Sequence, residues 1–381
     1  MIYLDNAATT KTAPEVVEAM LPYFTEYYGN AGGIYGLGNK SKRAVIDAKE
    51  TIAATLGAEP NEIYFTAGGT ESDNWAVKAC YETYRDKGKH IITTKIEHHA
   101  VLHTCEYLSK QGAEITYLDV DEDGLIDLEQ LEKAIRPDTI LVSVMSANNE
   151  IGTVQPVKEI GKIAAKHGIL FHTDAVQAYG QLPIDVAECH IDMLSASAHK
   201  FNGPKGVGFL YIGKKARIHS FIHGGQQERG RRAGTENIPG IVGMAAAVKR
   251  AYRIMEEKTA KEVELRDYLI SRVEREISGT RLNGHRTNRL PGNVNFSFAS
   301  VESETALIML DMQGICASGG SACTTGSIDP SHVLLATGSS PETARGALRL
   351  TLSEENTKEE MDIVVEELKR IVGKIREMRE I

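Results

Sequence analysis

Ile140-Leu141-Val142-Ser143-Val144, then Pro156-Val157-Lys158-Glu159-Ile160-Gly161-Lys162-Ile163-Ala164-Ala165-Lys166-His167-Gly168, then Ile169-Leu170-Phe171-His172 reads as strand, helix and strand in succession. The outer runs are short and apolar. The middle repeats Val157, Ile160, Ile163 and Ala164 at helical spacing, with Pro156 suited to a first turn and Gly168 to a stop. Short connections make a β-α-β crossover the natural topology. The same rhythm runs from about residue 60 to 212, with further strand candidates at Ile63–Phe65, Ile91–Thr93, Ile115–Leu118, Met193–Ser195 and Val207–Tyr211. It predicts an α/β fold whose large domain is a mostly parallel seven-stranded sheet sandwiched by helices. Ligands of such sheets gather at the carboxyl ends of the strands, so the polar residues just after each apolar run matter most.

Around this unit, Thr12-Ala13-Pro14-Glu15 reads as a capping box opening a helix, and Val45, Ala48, Ile52 and Leu56 form the apolar stripe of another. After Val248 a charged helical stretch leads to a turn-rich segment at 283–292, the strand candidate Val294–Phe298 and a final amphipathic helix over about Lys358–Arg379. These point to a smaller α+β domain made of 1–15 and 255–381, beside a large domain of 16–254. With 42% apolar and 25% charged residues, the chain is neither disordered nor fibrous. A net charge of −9 argues against bulk binding to nucleic acid or an anionic membrane surface. No apolar run approaches the roughly 20 residues of a membrane span, and the start lacks a basic stretch followed by an apolar one, so a cytoplasmic protein is expected. Five cysteines without a C-x-x-C pair indicate neither a disulfide framework nor a four-cysteine zinc site.

Leu170-Phe171-His172-Thr173-Asp174-Ala175-Val176-Gln177 is followed, 26 residues after Asp174, by Lys200 in Ser195-Ala196-Ser197-Ala198-His199-Lys200. Both charged residues fall at the carboxyl end of an expected strand. A lysine there, opposite a carboxylate, is what a pyridoxal 5'-phosphate site needs: the amine carries the cofactor and the carboxylate keeps the ring nitrogen protonated. A structural ion pair is the other reading. Thr66-Ala67-Gly68-Gly69-Thr70 follows an apolar run and precedes a helix pattern, so the amides of Gly69 and Thr70 can meet a phosphate at a helix N-terminus. A capped turn without ligand is the alternative.

Nine segments resemble, in order, the cysteine desulfurases of the NifS/IscS type. They are Asp5-Asn6-Ala7-Ala8-Thr9-Thr10, Thr70-Glu71-Ser72-Asp73-Asn74, Glu97-His98, Asn148-Asn149-Glu150-Ile151-Gly152, Asp174-Ala175-Val176-Gln177, Ser197-Ala198-His199-Lys200, Gly203-Pro204-Lys205-Gly206, Arg232-Ala233-Gly234-Thr235-Glu236-Asn237 and Ser321-Ala322-Cys323. The resemblance implies the pyridoxal-phosphate transferase fold type I, a homodimer, and desulfuration of L-cysteine for iron–sulfur cluster assembly or tRNA thiolation through a sulfur-acceptor protein. It implies that Lys200 holds the cofactor, Asp174 pairs with its ring nitrogen, His98 stacks on the ring and carries a proton, and Gln177 meets the phenolic oxygen. Asn149 orients ring and substrate. Thr70, Ser197 and His199 bind the phosphate, with Thr235 reaching in from the second subunit. Arg349, which alone would read as a surface arginine on a strand, grips the substrate carboxylate.

Cys323 is the implied nucleophile. It lies in Ala317-Ser318-Gly319-Gly320-Ser321-Ala322-Cys323-Thr324-Thr325-Gly326-Ser327, whose small residues have the composition of a mobile loop and resemble the long-loop branch of the family. Cys316, between Ile315 and Ala317, is expected to be buried. Other readings are a selenocysteine lyase or another class V aminotransferase relative, a non-catalytic assembly scaffold, and a metal site on His99 and His103 that no H-E-x-x-H pattern supports. The basic cluster Arg229, Arg231 and Arg232 is expected to place positive charge beside Thr235. Departures from the family are Ala31 for a proline, Tyr35 for a histidine, Asn202 for a tyrosine and Ser353-Glu354 for Gly-Arg.

Overall fold

The computed structural model describes residues 1–319 and 330–379. Seven strands, β1 (Ile63–Thr66), β2 (His90–Thr94), β3 (Glu114–Leu118), β4 (Thr139–Ser143), β5 (Leu170–Asp174), β6 (Met193–Ser197) and β7 (Gly208–Ile212), form one sheet in the order β1-β7-β6-β5-β4-β2-β3. Only β7 runs against its neighbours. The central strands are buried on both faces, which is why they read as continuous apolar runs rather than alternating ones. His172 lies fully buried inside β5. Its ring bridges Ser143 Oγ (2.9 Å, Nδ1) on one neighbouring strand and Ser195 Oγ (3.0 Å, Nε2) on the other.

Helices α1 (Gly36–Leu56), α2 (Gly69–Tyr84), α3 (His99–Ser109) and α4 (Val157–Lys166) connect and cover the sheet. Pro156 caps α4 from one position earlier than its spacing suggests. The capping box at Thr12 does not form. The helix Pro14–Met20 has Ala13 as its cap without a side-chain bond; Thr12 Oγ1 donates to the Gly203 carbonyl (3.3 Å) and Glu15 pairs with Arg250 and Arg253.

A second sheet, antiparallel, contains β8 (Thr280–Leu282), β9 (Asn293–Phe298), β10 (Ser318–Gly319) and β11 (Ala347–Thr351) in the order β10-β11-β9-β8. Helix α5 (Ile238–Glu276) belongs to both cores. Ile241, Met244, Ala247, Val248 and Ala251 join the core of the large sheet; Leu265, Leu269, Ile270 and Val273 join that of the small one. The terminal helix α6 (Lys358–Arg379) buries Met361, Val364, Val365, Leu368, Ile371 and Val372 against the small sheet, as its periodicity predicts. Among the described residues no helix is long and apolar enough to cross a membrane.

Candidate active site

The carboxyl ends of the parallel strands converge on a cavity of about 260 Å³. Gly69 and Thr70 reach it from the start of α2, which follows β1, His98 from the turn after β2, Asn149 from beyond β4, Asp174 and Gln177 from the end of β5, and Ser197, His199 and Lys200 from the end of β6. Arg349 enters from β11 of the small sheet. These ten residues are all expected from the sequence. Four of them, Gly69, Thr70, Ser197 and His199, also line an adjoining cavity of about 660 Å³ with Thr9, Asn74 and Lys205. Thr235 is exposed and lines neither cavity within this chain. Cys323 lies outside the described residues.

Each side chain is held from behind. Lys200 Nζ donates to the carbonyls of Ala7 (2.5 Å) and Ala8 (2.8 Å), so the N-terminal segment forms one wall of the site. Gln177 Nε2 donates to the same Ala7 carbonyl (3.0 Å). Asp174 accepts from the Val176 amide (2.8 Å); burial lifts its carboxyl to about 6, while that amide and Lys200 favour the charged form. Asp73, on α2 and only 1% exposed, lines the same cavity with Oδ1 unpartnered. Two carboxyls in one dry site cannot both ionise cheaply. Burial, then the charge of Asp174, push Asp73 far up, so Asp73 holds the proton and Asp174 the charge.

His98 caps α3, its Nδ1 accepting from the Ala100 amide (3.1 Å), which leaves the ring proton on Nε2. Burial first, then the charges of Lys200, His332 and His103, hold it down at about 4, so the ring is neutral at pH 7. His199 is lowered to about 4 by burial and the lysines Lys200 and Lys205, and its Nδ1 meets Thr9 Oγ1 at 3.2 Å. Arg349, 2% exposed, donates to the Asn149 carbonyl (2.8 Å) and to Asp5 Oδ1 (2.9 Å), with Nε buried and unpartnered.

This donor set fits pyridoxal phosphate: an amine for the aldehyde, a carboxylate for the ring nitrogen, an imidazole for the ring face and a helix start for the phosphate. Helix α2 enters at Gly68 with no side-chain cap. A Cβ on Gly69 would come within 2.5 Å of Val176 Cγ2, so the cradle requires glycine there.

One reading is corrected. Cys316 is half-buried rather than buried, because it lies on the short parallel pair Ile2–Tyr3 and Ile315–Cys316 rather than inside a core. The basic cluster is engaged within this chain: Arg232 forms a bidentate pair with Glu71 (2.8 and 3.1 Å), and Arg229 and Arg231 lie over the Tyr64 ring. His99 and His103 present stacked faces (4.8 Å, 3°), not converging lone pairs. Of the departures, Asn202 adopts φ +64°, where a side-chain amide is tolerated better than a tyrosine, and Glu354 pairs with Arg250.

Sequence reasoning gave no chemical role to Asp73, Asp5 or the Ala7 and Ala8 carbonyls. All four lie inside the quoted segments, but only the folded chain brings them to Asp174, Arg349 and Lys200.

Fold and site together define a pyridoxal-phosphate-dependent enzyme of fold type I. A family model for aminotransferase class V matches residues 2–364. Cysteine desulfurase IscS of Methanosarcina thermophila is 55% identical over 377 residues, 99% of this chain and 93% of its own. A solved NifS-like protein superposes with a TM-score of 0.92 at 40% identity, covering 98% of this chain and 99% of its own. The structure described as SspA in complex with cysteine gives a TM-score of 0.83 at 38% identity, covering 94% of this chain and 100% of its own. The chain belongs to the class-V aminotransferase family and, within it, to the cysteine desulfurases, whose cofactor is pyridoxal 5'-phosphate.

Proposed function

We propose that the chain converts L-cysteine to L-alanine and takes the sulfur onto Cys323 as a persulfide. The reading rests on one cavity lined by a lysine, a buried carboxylate, a neutral imidazole and an arginine with an unpartnered Nε. The substrate carboxylate meets Arg349, whose guanidinium is already oriented by Asp5 and Asn149. Bound pyridoxal phosphate supplies the electron sink for the C–H and C–S bonds that break. Lys200 Nζ takes the α-proton, and Asp174 stays charged to hold a proton on the ring nitrogen. His98, neutral with its proton on Nε2, serves as the proton carrier at the sulfur end. The Cys323 thiolate attacks the substrate sulfur: an S–S bond forms, the C–S bond breaks, and its electron pair stays with the fragment that becomes alanine.

Thr70, Ser197 and His199 hold the phosphate, Gln177 the phenolic oxygen, and Thr235 of a second copy completes the phosphate site in a homodimer. Its exposure in the single chain suits that role. The persulfide passes to an acceptor protein for iron–sulfur cluster assembly or tRNA thiolation, in the cytoplasm. The two cores correspond to two domains, 16–254 and 1–15 with 255–381. Release of alanine from cysteine tests the reading: Lys200→Ala and Cys323→Ala each abolish it. Alanine release at the native rate in Cys323→Ala contradicts the persulfide step.

A further inference from the structure

Helix α2 starts at the turn read as the phosphate end of the site and lies against β5, which ends at the carboxylate read as the ring-nitrogen partner. Two contacts on one helical face show how it lies. A Cβ on Gly69 would come within 2.5 Å of Val176 Cγ2, and one turn further on Asp73 Oδ1 is 3.6 Å from His172 Nε2. Four residues along the helix thus match four residues back along the chain, a stretch centred on Asp174. The sheet face beneath is polar: alternation along β5 puts His172 and Asp174 on one side, with Ser143 opposite His172 and Ser195 opposite Asp174 on the neighbouring strands. Burial holds the His172 ring at about 3, so it is neutral at pH 7, and its nitrogens already meet both serines. It offers Asp73 no charge. Asp73 is 1% exposed, borders the cavity, and its Oδ1 meets no hydrogen-bond partner among the described residues. A carboxylate is costly in such a place, whereas the uncharged acid is not. Burial, then the charges of Asp174 and Glu97, push Asp73 up against the opposing effect of Ser195, in agreement with that geometry.

We propose that Asp73 is a positioning residue for pyridoxal phosphate, a polar spacer between α2 and β5 that fixes the phosphate turn relative to the Asp174 carboxylate. The inference rests on the reading of Asp174 as the ring-nitrogen partner and of the α2 start as the phosphate end. The cofactor spans these two points, so the helix and the strand must keep their separation. A short, uncharged polar side chain suits the place. An apolar one strips polar surroundings from Asp174, whose carboxylate then becomes the stronger base and draws the proton from the ring nitrogen. An amide of the same shape keeps both the spacing and the polarity.

The test has two readouts on the full chain: the dissociation constant for pyridoxal phosphate by absorbance titration, and the nitrogen resonance of cofactor isotopically labelled at its pyridine nitrogen. Asp73→Leu weakens binding about tenfold or more and moves the resonance towards that of the unprotonated ring. Asp73→Asn stays within about threefold in binding and leaves the resonance at its native position from about pH 6 to about pH 9. Native binding and a native resonance in Asp73→Leu overturn the proposal. So does an Asp73→Asn protein that behaves like Asp73→Leu, since the charge of the side chain would then be what matters. If Asp73→Leu fails to fold by circular dichroism, the comparison of Asp73→Asn with the native protein decides alone. An unprotonated ring nitrogen in the unaltered holoenzyme overturns instead the assignment of Asp174, and the spacer with it.

Discussion

At the residue scale, burial decides which groups are charged. Glu97 is fully buried; its Oε1 accepts from Thr94 Oγ1 (2.8 Å) and the Met145 amide (3.0 Å), and Oε2 has no partner. Burial lifts its carboxyl to about 8. Because the folded value lies above the unfolded one of about 4.3, the folded state keeps a proton that the unfolded chain releases, and stability falls as pH rises from about 4.3 to about 8. Buried neutral His172, at about 3, and His98, at about 4, act in the opposite sense, adding stability as pH rises through the unfolded histidine value of about 6.5. Comparison with Glu97→Gln isolates the carboxyl: the variant gains on the native protein between about pH 5 and pH 9, by on the order of 2 kcal/mol in urea unfolding, and a constant difference contradicts the assignment. Arg349→Lys keeps the charge and loses the planar fork, so KM for cysteine rises about tenfold or more with a smaller change in kcat. Lys200, Asp174 and Arg349 were legible because strand-end position or motif marks them. Asp73 was not: only the fold brings α2 against β5 and sets its carboxyl beside the charge of Asp174.

At the element scale, the proposed reading gives the phosphate end of the site to the start of α2. Its amides are reachable because Gly69 packs directly on Val176, which Gly69→Ala would displace. That variant weakens pyridoxal phosphate retention by about tenfold or more in an absorbance titration, with the fold intact by circular dichroism; unchanged retention removes the phosphate assignment from this turn. All seven strands of the large sheet were legible as short apolar runs, the central ones because they are buried on both faces. The capping box at Thr12 was misread for a physical reason. The Thr12 hydroxyl is turned to the Gly203 carbonyl, 191 positions away, and Glu15 to Arg250 and Arg253, so the helix starts at Ala13 without a side-chain cap.

At the scale of the whole molecule, α5 joins the two cores, and that continuity was hard to see. Its apolar positions keep one helical period while the partner changes from the large sheet to the small one, so a boundary at residue 254 falls inside a 39-residue helix. Leu269, fully buried in the second core, tests the connection: Leu269→Ala costs about 2–5 kcal/mol in chemical denaturation, and a cost under about 0.5 kcal/mol contradicts its place there. The same architecture brings Arg349 of the small sheet to the strand ends of the large one, so neither half holds a complete site. In the proposed reaction the sulfur ends on Cys323. The most direct measurement is mass spectrometry of the Cys323 peptide after incubating the holoenzyme with L-cysteine in the absence of reductant. The peptide gains one sulfur atom as alanine appears, and Lys200→Ala yields neither; alanine released with the Cys323 peptide left unmodified would contradict the account.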